Sequence, residues 1–134
     1  MIDRVEHIGI AVAALGPALD FYREALGLLA QEVEEIPEQE VRVACLQVGE
    51  TRIELLEPTS ADSPIARFME KRGEGIHHIC FQVDDIEGAL AALAGAGVKL
   101  IDERPRLGAG GRRVAFLSPR STHGVLIELS ERPR

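Results

Sequence analysis

The chain has 134 residues, 46% apolar and 28% charged, which is enough for one compact domain or two small modules sharing a core. No apolar run approaches the roughly 20 residues of a membrane span. A net charge of −7, with four Phe, one Tyr and no Trp, offers neither the positive field nor the stacking surface that a nucleic-acid partner wants.

The start, "MIDRVEHIGIAV", carries charged residues ahead of its apolar stretch and no small-residue cleavage site, so a cytoplasmic protein is expected. A strand is predicted from Val5 to Val12, with Ile8, Ile10 and Val12 on one face and His7, Gly9 and Ala11 on the other. A helix follows over Pro17 to Leu26, with Pro17 at its start and Gly27 just past its end. Strands resume through "VACL" from Val43 and end in "RIELLE", where Glu54 opposes Ile53 and Leu55. "DSPIARFMEKRGEG" reads as a separate short helix, capped by Ser63, with Pro64 in its first turn and Gly73 as its stop. The next strand runs from Ile76 to Val83, and a helix over Ile86 to Ala96 follows Asp84 and Asp85 and stops at Gly97. The final strands contain "VAFL" and "VLIELSE". Cys45 and Cys80 lie in strand-like surroundings and read as buried thiols.

The second half repeats the first. Displaced by 71 residues, His7 falls on His78, Ile8 on Ile79, Val12 on Val83 and Leu19 on Leu90. "VACL" falls on "VAFL", and "RIELLE" matches "LIELSE" with Glu54 on Glu128. A repeat fixes architecture before any other feature does. The chain is therefore expected to be a single domain, 1–134, with modules at 3–58 and 75–132 and a helical spacer at 59–74.

Parity then selects the chemistry. His7 and Glu54, and their counterparts His78 and Glu128, face away from the helices; His77 points the other way or lies at the strand edge. If the modules pack about a pseudo-twofold, the four side chains converge. Two imidazoles and two carboxylates suit a borderline divalent cation, Co, Mn, Ni, Fe or Zn. Calcium and magnesium want more oxygen, and structural zinc more often uses Cys. A lone strand histidine is more often a hydrogen-bonded structural residue. A glutamate between Ile and Leu, however, needs a partner, and two such pairs in equivalent places favour the metal.

These residues resemble the vicinal oxygen chelate superfamily and, within it, the methylmalonyl-CoA epimerases. "VEHIGIAV", "FYREALGL" and "IELLEP" are shared across the superfamily; "DSPIARFMEKRGEGIHHICFQVDDI", "GAGG" and "GVLIEL" resemble the epimerases in particular. The resemblance implies tandem βαβββ modules, an α+β fold whose curved, partly closed mixed sheet carries its helices outside. It also implies a homodimer, metal ligands at His7, Glu54, His78 and Glu128, and an acyl-CoA substrate inverted at C2 through an enolate. Glu128 is assigned the acid–base role. Two positions depart from the pattern. Some epimerases have Gln where this chain has Glu54, as bacterial glyoxalases have Glu. Some place a second base where "EVRVAC" has Val43; Glu40, Gln47 through a water, or a metal-bound water remain for the opposite face. Arg104, Arg106, Arg112, Arg113 and Arg120 form a basic stretch without acidic residues, read either as an anchor for CoA phosphates or as a solvated loop or subunit contact. A glyoxalase acting on a glutathione hemithioacetal is the nearest rival. A non-catalytic small-molecule binder of the same architecture is the more distant one.

Overall fold

The computed structural model describes residues 1–133, with nine strands and three α-helices among them. The chain forms two compact units, His7–His77 and Met1–Glu6 with His78–Arg134. Strand β1 (Ile2–Ala11) contributes residues to both.

In the unit His7–His77, helix α1 (Leu15–Leu19) opens into wider turns over Asp20–Ala25. Strands β2 (Leu29–Ala30), β3 (Glu34–Ile36), β4 (Val41–Val48) and β5 (Thr51–Pro58) follow. The ladder runs β2-β4-β5-β1, and β3 also pairs with β4. β1 is parallel to β5, with Gly9 opposite Glu54, while β4 is antiparallel to β5, with Cys45 opposite Glu54. The predicted apolar face forms the core: Val12, Leu15, Ala44, Leu46 and Leu55, flanked by Ile10 and Ile53. Helix α2 (Pro64–Arg72) has the expected ends. Ser63 Oγ accepts from the Ala66 N–H at 3.0 Å, and Gly73 leaves the helix at φ 74°.

The first helix starts two residues before the expected Pro17. Its cap comes from another strand: the Glu57 carboxylate accepts the Leu15 N–H at 2.9 Å. Pro17 then sits in the first turn, where its missing N–H costs no hydrogen bond. The far end is looser, with the Leu26 N–H donating to the Phe21 carbonyl at 3.1 Å before Gly27 turns the chain at φ 74°.

The other unit has the same plan: β6 (Gly75–Val83), α3 (Ile86–Gly95), β7 (Arg106–Leu107), β8 (Arg113–Leu117) and β9 (Ile127–Glu131), in the order β6-β9-β8-β7. β6 is parallel to β9, with Cys80 opposite Glu128, and β8 is antiparallel to β9, with Phe116 opposite Glu128. Its core is Val83, Ile86, Ala89, Leu90, Ala115, Leu117 and Leu129. The counterpart of β2 shrinks to one bridge, Leu100 to Leu117.

The duplication reaches the helix caps. Glu131 accepts the Ile86 N–H at 3.1 Å and receives Arg113 at 3.3 Å. Glu57 accepts the Leu15 N–H at 2.9 Å and receives Arg42 at 3.0 Å. In each unit the strand-end glutamate fills the N-terminal donor of the helix and is itself held by an arginine on the neighbouring strand. Tandem βαβββ order in an α+β chain is thus observed as expected. No helix among the described residues is long and apolar enough to cross a membrane.

Candidate functional site

Each unit builds one histidine–glutamate pair in the same way. His7 precedes by two residues Gly9, the register partner of Glu54; His78 precedes by two residues Cys80, the register partner of Glu128. Two residues along a strand return to the same face, so each imidazole lies diagonally beside its carboxylate. His7 Nε2 stands 3.4 Å from Glu54 Oε1, and His78 Nε2 stands 3.0 Å from Glu128 Oε1. All four side chains are buried.

Burying a carboxylate is costly unless opposite charge or hydrogen bonds compensate it. A divalent cation within reach of both Nε2 and Oε1 would serve both partners, and nitrogen with oxygen is the mixed donor set that Co, Mn, Ni, Fe and Zn accept. His7 and Glu54 belong to a buried group able to hold a metal ion. The residues present therefore fit a resident cation.

The two pairs differ in their neighbours. Arg52, two residues before Glu54, donates from Nη2 to Glu54 Oε2 at 3.1 Å and from Nη1 to Cys45 Sγ at 3.4 Å. The matching positions in the other unit are Leu126 and Phe116. The Phe116 ring meets His78 edge-on at 5.7 Å between centroids, and the Arg106 guanidinium lies 5.5 Å from the Phe116 centroid. His77 turns elsewhere, its ring edge-on to Phe68 of α2 at 4.9 Å. Cys45 and Cys80 are buried, are not joined in a disulfide, and lie beside the two glutamates in the ladders.

Val43 shares the face of Cys45, is 2% exposed and registers with Leu56, so it adds hydrocarbon and no proton. The Gln47 amide donates to the Gly49 carbonyl at 2.7 Å, and the Glu40 carboxylate accepts from the Ser60 hydroxyl.

In the basic stretch, three arginines are committed to carboxylates. Arg112 lies 3.5 Å from Glu6, which is only 1% exposed. Arg113 bonds Glu87 at 2.6 Å and Glu131 at 3.3 Å, and the Glu87 bond above all raises its pKa beyond the ordinary arginine value. Arg106 stands 3.5 Å from Asp102. Arg104 and Arg120 are exposed.

Several of these residues escaped the sequence reading. Arg52 had a usable signal, its parity with Glu54. Glu57 and Glu131 are the last letters of the repeated "RIELLE" and "LIELSE", so their shared role was readable in principle. Glu6 carried no signal beyond a charge in an otherwise apolar strand.

Residues 6–116 match the family model of the glyoxalase/bleomycin resistance protein/dioxygenase superfamily. The chain belongs to that superfamily. It is 48% identical to the uncharacterized protein YqjC of Bacillus subtilis, over 97% of this chain and 93% of that one. It is 41% identical to the ethylmalonyl-CoA/methylmalonyl-CoA epimerase of Cereibacter sphaeroides, over 98% of this chain and 99% of that one. Among solved structures it is similar to a variant of the Streptomyces coelicolor methylmalonyl-CoA epimerase in complex with 2-nitronate-propionyl-CoA. That match has a TM-score of 0.94 and 38% identity and covers 98% of this chain and 95% of the other. Such end-to-end likeness makes this chain an enzyme of the methylmalonyl-CoA epimerase family within the superfamily.

Proposed function

We propose that the protein inverts C2 of methylmalonyl-CoA, with His7, Glu54, His78 and Glu128 holding one divalent cation. The observation that carries this reading is the double construction of the His–Glu pair in a chain that aligns end to end with an epimerase. When bound, the cation supplies positive charge for the substrate carboxylate and for the enolate oxygen as it develops. Co, Mn, Ni, Fe and Zn are all compatible with the donors, and a cytoplasmic homodimer belongs to the same reading.

The C2 proton lies between a thioester carbonyl, which acidifies it, and a carboxylate, whose charge resists a second anion. Glu128 takes that proton as the C–H pair moves into the thioester to form the enolate. A water on the opposite face of C2 then gives a proton to the carbon, and the hydroxide left behind is neutralised by the proton Glu128 releases, which restores the carboxylate. Glu128 Oε1 lies 3.0 Å from His78 Nε2, so these two atoms would face the cation together, leaving proton exchange to the other oxygen of Glu128. The apolar side chain of Val43 takes no part in either transfer.

The test is proton exchange at C2 in heavy water, followed by NMR with defined metals. The parent exchanges and epimerises, while Glu128→Gln loses both by about 100-fold or more. Near-parent turnover by that variant would remove Glu128 from the chemistry. Faster conversion of a methylglyoxal–glutathione hemithioacetal than of methylmalonyl-CoA would reassign the protein as a glyoxalase.

A further inference from the structure

The duplicated pairs share a construction, but one glutamate has a guanidinium two residues away on its own strand face and the other has a leucine. We propose that Arg52 is a positioning residue that converts Glu54 into an electrically neutral donor, while Glu128 retains the charge that proton transfer needs. This rests on the shared-cation reading above.

The geometry divides the two oxygens of Glu54. Arg52 Nη2 takes Oε2 at 3.1 Å, and Oε1 is the oxygen that lies 3.4 Å from His7 Nε2. The second prong, Nη1 to Cys45 Sγ at 3.4 Å, keeps the planar fork from rotating. The Arg52 side chain is 16% exposed, so water screens the pair only weakly. A carboxylate held in this way presents a single oxygen in a fixed direction. A lysine, one point charge on a flexible stem, would not fix it as well.

Charge gives the same answer. Two neutral imidazoles, two carboxylates and a divalent cation sum to zero, and a centre of zero charge is a poor partner for an anionic substrate that must gain a further negative charge. Arg52 restores one positive charge. The result equals what an uncharged amide at position 54 would give, so Glu54 with Arg52 is the electrostatic equivalent of glutamine. Leu126 does nothing similar for Glu128 from the corresponding position.

The experiment compares the parent with Arg52→Met, Arg52→Lys and the double variant Arg52→Met/Glu54→Gln. The metal-stripped proteins are titrated with cobalt against a fluorescent chelator, and kcat and KM for methylmalonyl-CoA are measured separately. Removing the guanidinium should tighten cobalt about tenfold, because a like charge near the cation has gone. It should lower kcat about tenfold or more while moving KM less. The double variant should return both quantities toward the parent, and Arg52→Lys should fall between. Cobalt affinity and kcat within twofold of the parent in Arg52→Met, or a double variant no better than Arg52→Met, would overturn the inference. If Arg52→Met does not fold, Arg52→Lys decides, and parent values there count against it. A parent that binds no cobalt defeats the shared-cation reading instead, so the two failures are distinguishable.

Discussion

Replacing Glu131 tests how the second βαβββ unit holds its helix. The carboxylate is 6% exposed and meets two donors, the fully buried Ile86 N–H at 3.1 Å and Arg113 Nη1 at 3.3 Å. The first N–H of a helix has no partner within the helix. Asp85 accepts the Gly88 N–H at 3.1 Å, and the acceptor for Ile86 is Glu131. In Glu131→Ala the Ile86 N–H loses its acceptor in a water-free place, which costs about 1–3 kcal/mol, and the lost packing of a long side chain adds about 1 kcal/mol. Glu131→Gln keeps an acceptor oxygen and loses only charge assistance. Because the Arg113 side chain is 38% exposed, water screens that loss and keeps it small. For a chain of this size, 1 kcal/mol corresponds to roughly 3–5 °C. Calorimetry should therefore place Glu131→Ala about 6–20 °C below the parent and Glu131→Gln within about 5 °C of it. Glu57→Ala, whose side chain is 18% exposed, should lose less than Glu131→Ala. Equal losses for Ala and Gln at position 131 would mean that charge, and not the filled N–H, carries the contribution, and the capping argument would fail.

Other consequences can be checked as directly. Because Arg112 and Arg113 are paired with Glu6, Glu87 and Glu131, their removal should lower thermal stability more than it weakens substrate binding. Removing the exposed Arg104 and Arg120 should instead raise KM for the CoA thioester severalfold at low salt, with the effect fading at high salt; an unchanged KM would take both out of substrate binding. Asp3 has a depressed pKa, chiefly through its hydrogen bond from Arg132, with Gln82 also donating. A carboxyl with a lowered folded pKa stabilises above its unfolded value, near 4, and that contribution is lost as pH falls through the folded value. Arg132→Ala should therefore move the Asp3 titration, followed by carboxyl NMR, upward toward the ordinary range and make acid unfolding begin at a higher pH. An unmoved titration would show that Arg132 does not hold the group.

Much of this was legible because the repeat and the parity of strands are properties of sequence alone. Ile8, Ile10 and Val12 against His7 and Gly9 already divide β1 into two faces, and the structure adds only what each face meets. The same alternation assigned Glu54 and Glu128 to the faces of His7 and His78 and set His77 apart. What stayed hidden were contacts between residues with no fixed spacing. Glu57 reaches Leu15 across 42 positions, and that bond, not any local capping residue, moved the start of α1 ahead of Pro17. The partners of the basic stretch were hidden for the same reason. It contains no acidic residue, yet Arg112 and Arg113 find carboxylates on β1, α3 and β9.

The comparison of the two units separates what the fold needs from what the chemistry needs. Positions that hold the fold have stayed alike: Glu57 with Arg42 and Glu131 with Arg113 make the same cap at the same place. The histidine and glutamate of each pair have stayed alike as well, as donors to one cation would have to. The neighbours of those pairs have diverged, with Arg52 and Cys45 against Leu126 and Phe116, and Ala11 and Leu56 against Gln82 and Ser130. Each pair meanwhile keeps its own geometry to within 0.4 Å, between 3.4 and 3.0 Å. On the proposed reading the centre binds an unsymmetrical substrate, with a thioester on one side of C2 and a carboxylate on the other, and that gives the surroundings a reason to differ. Symmetric donors with unsymmetric walls are what such a substrate requires.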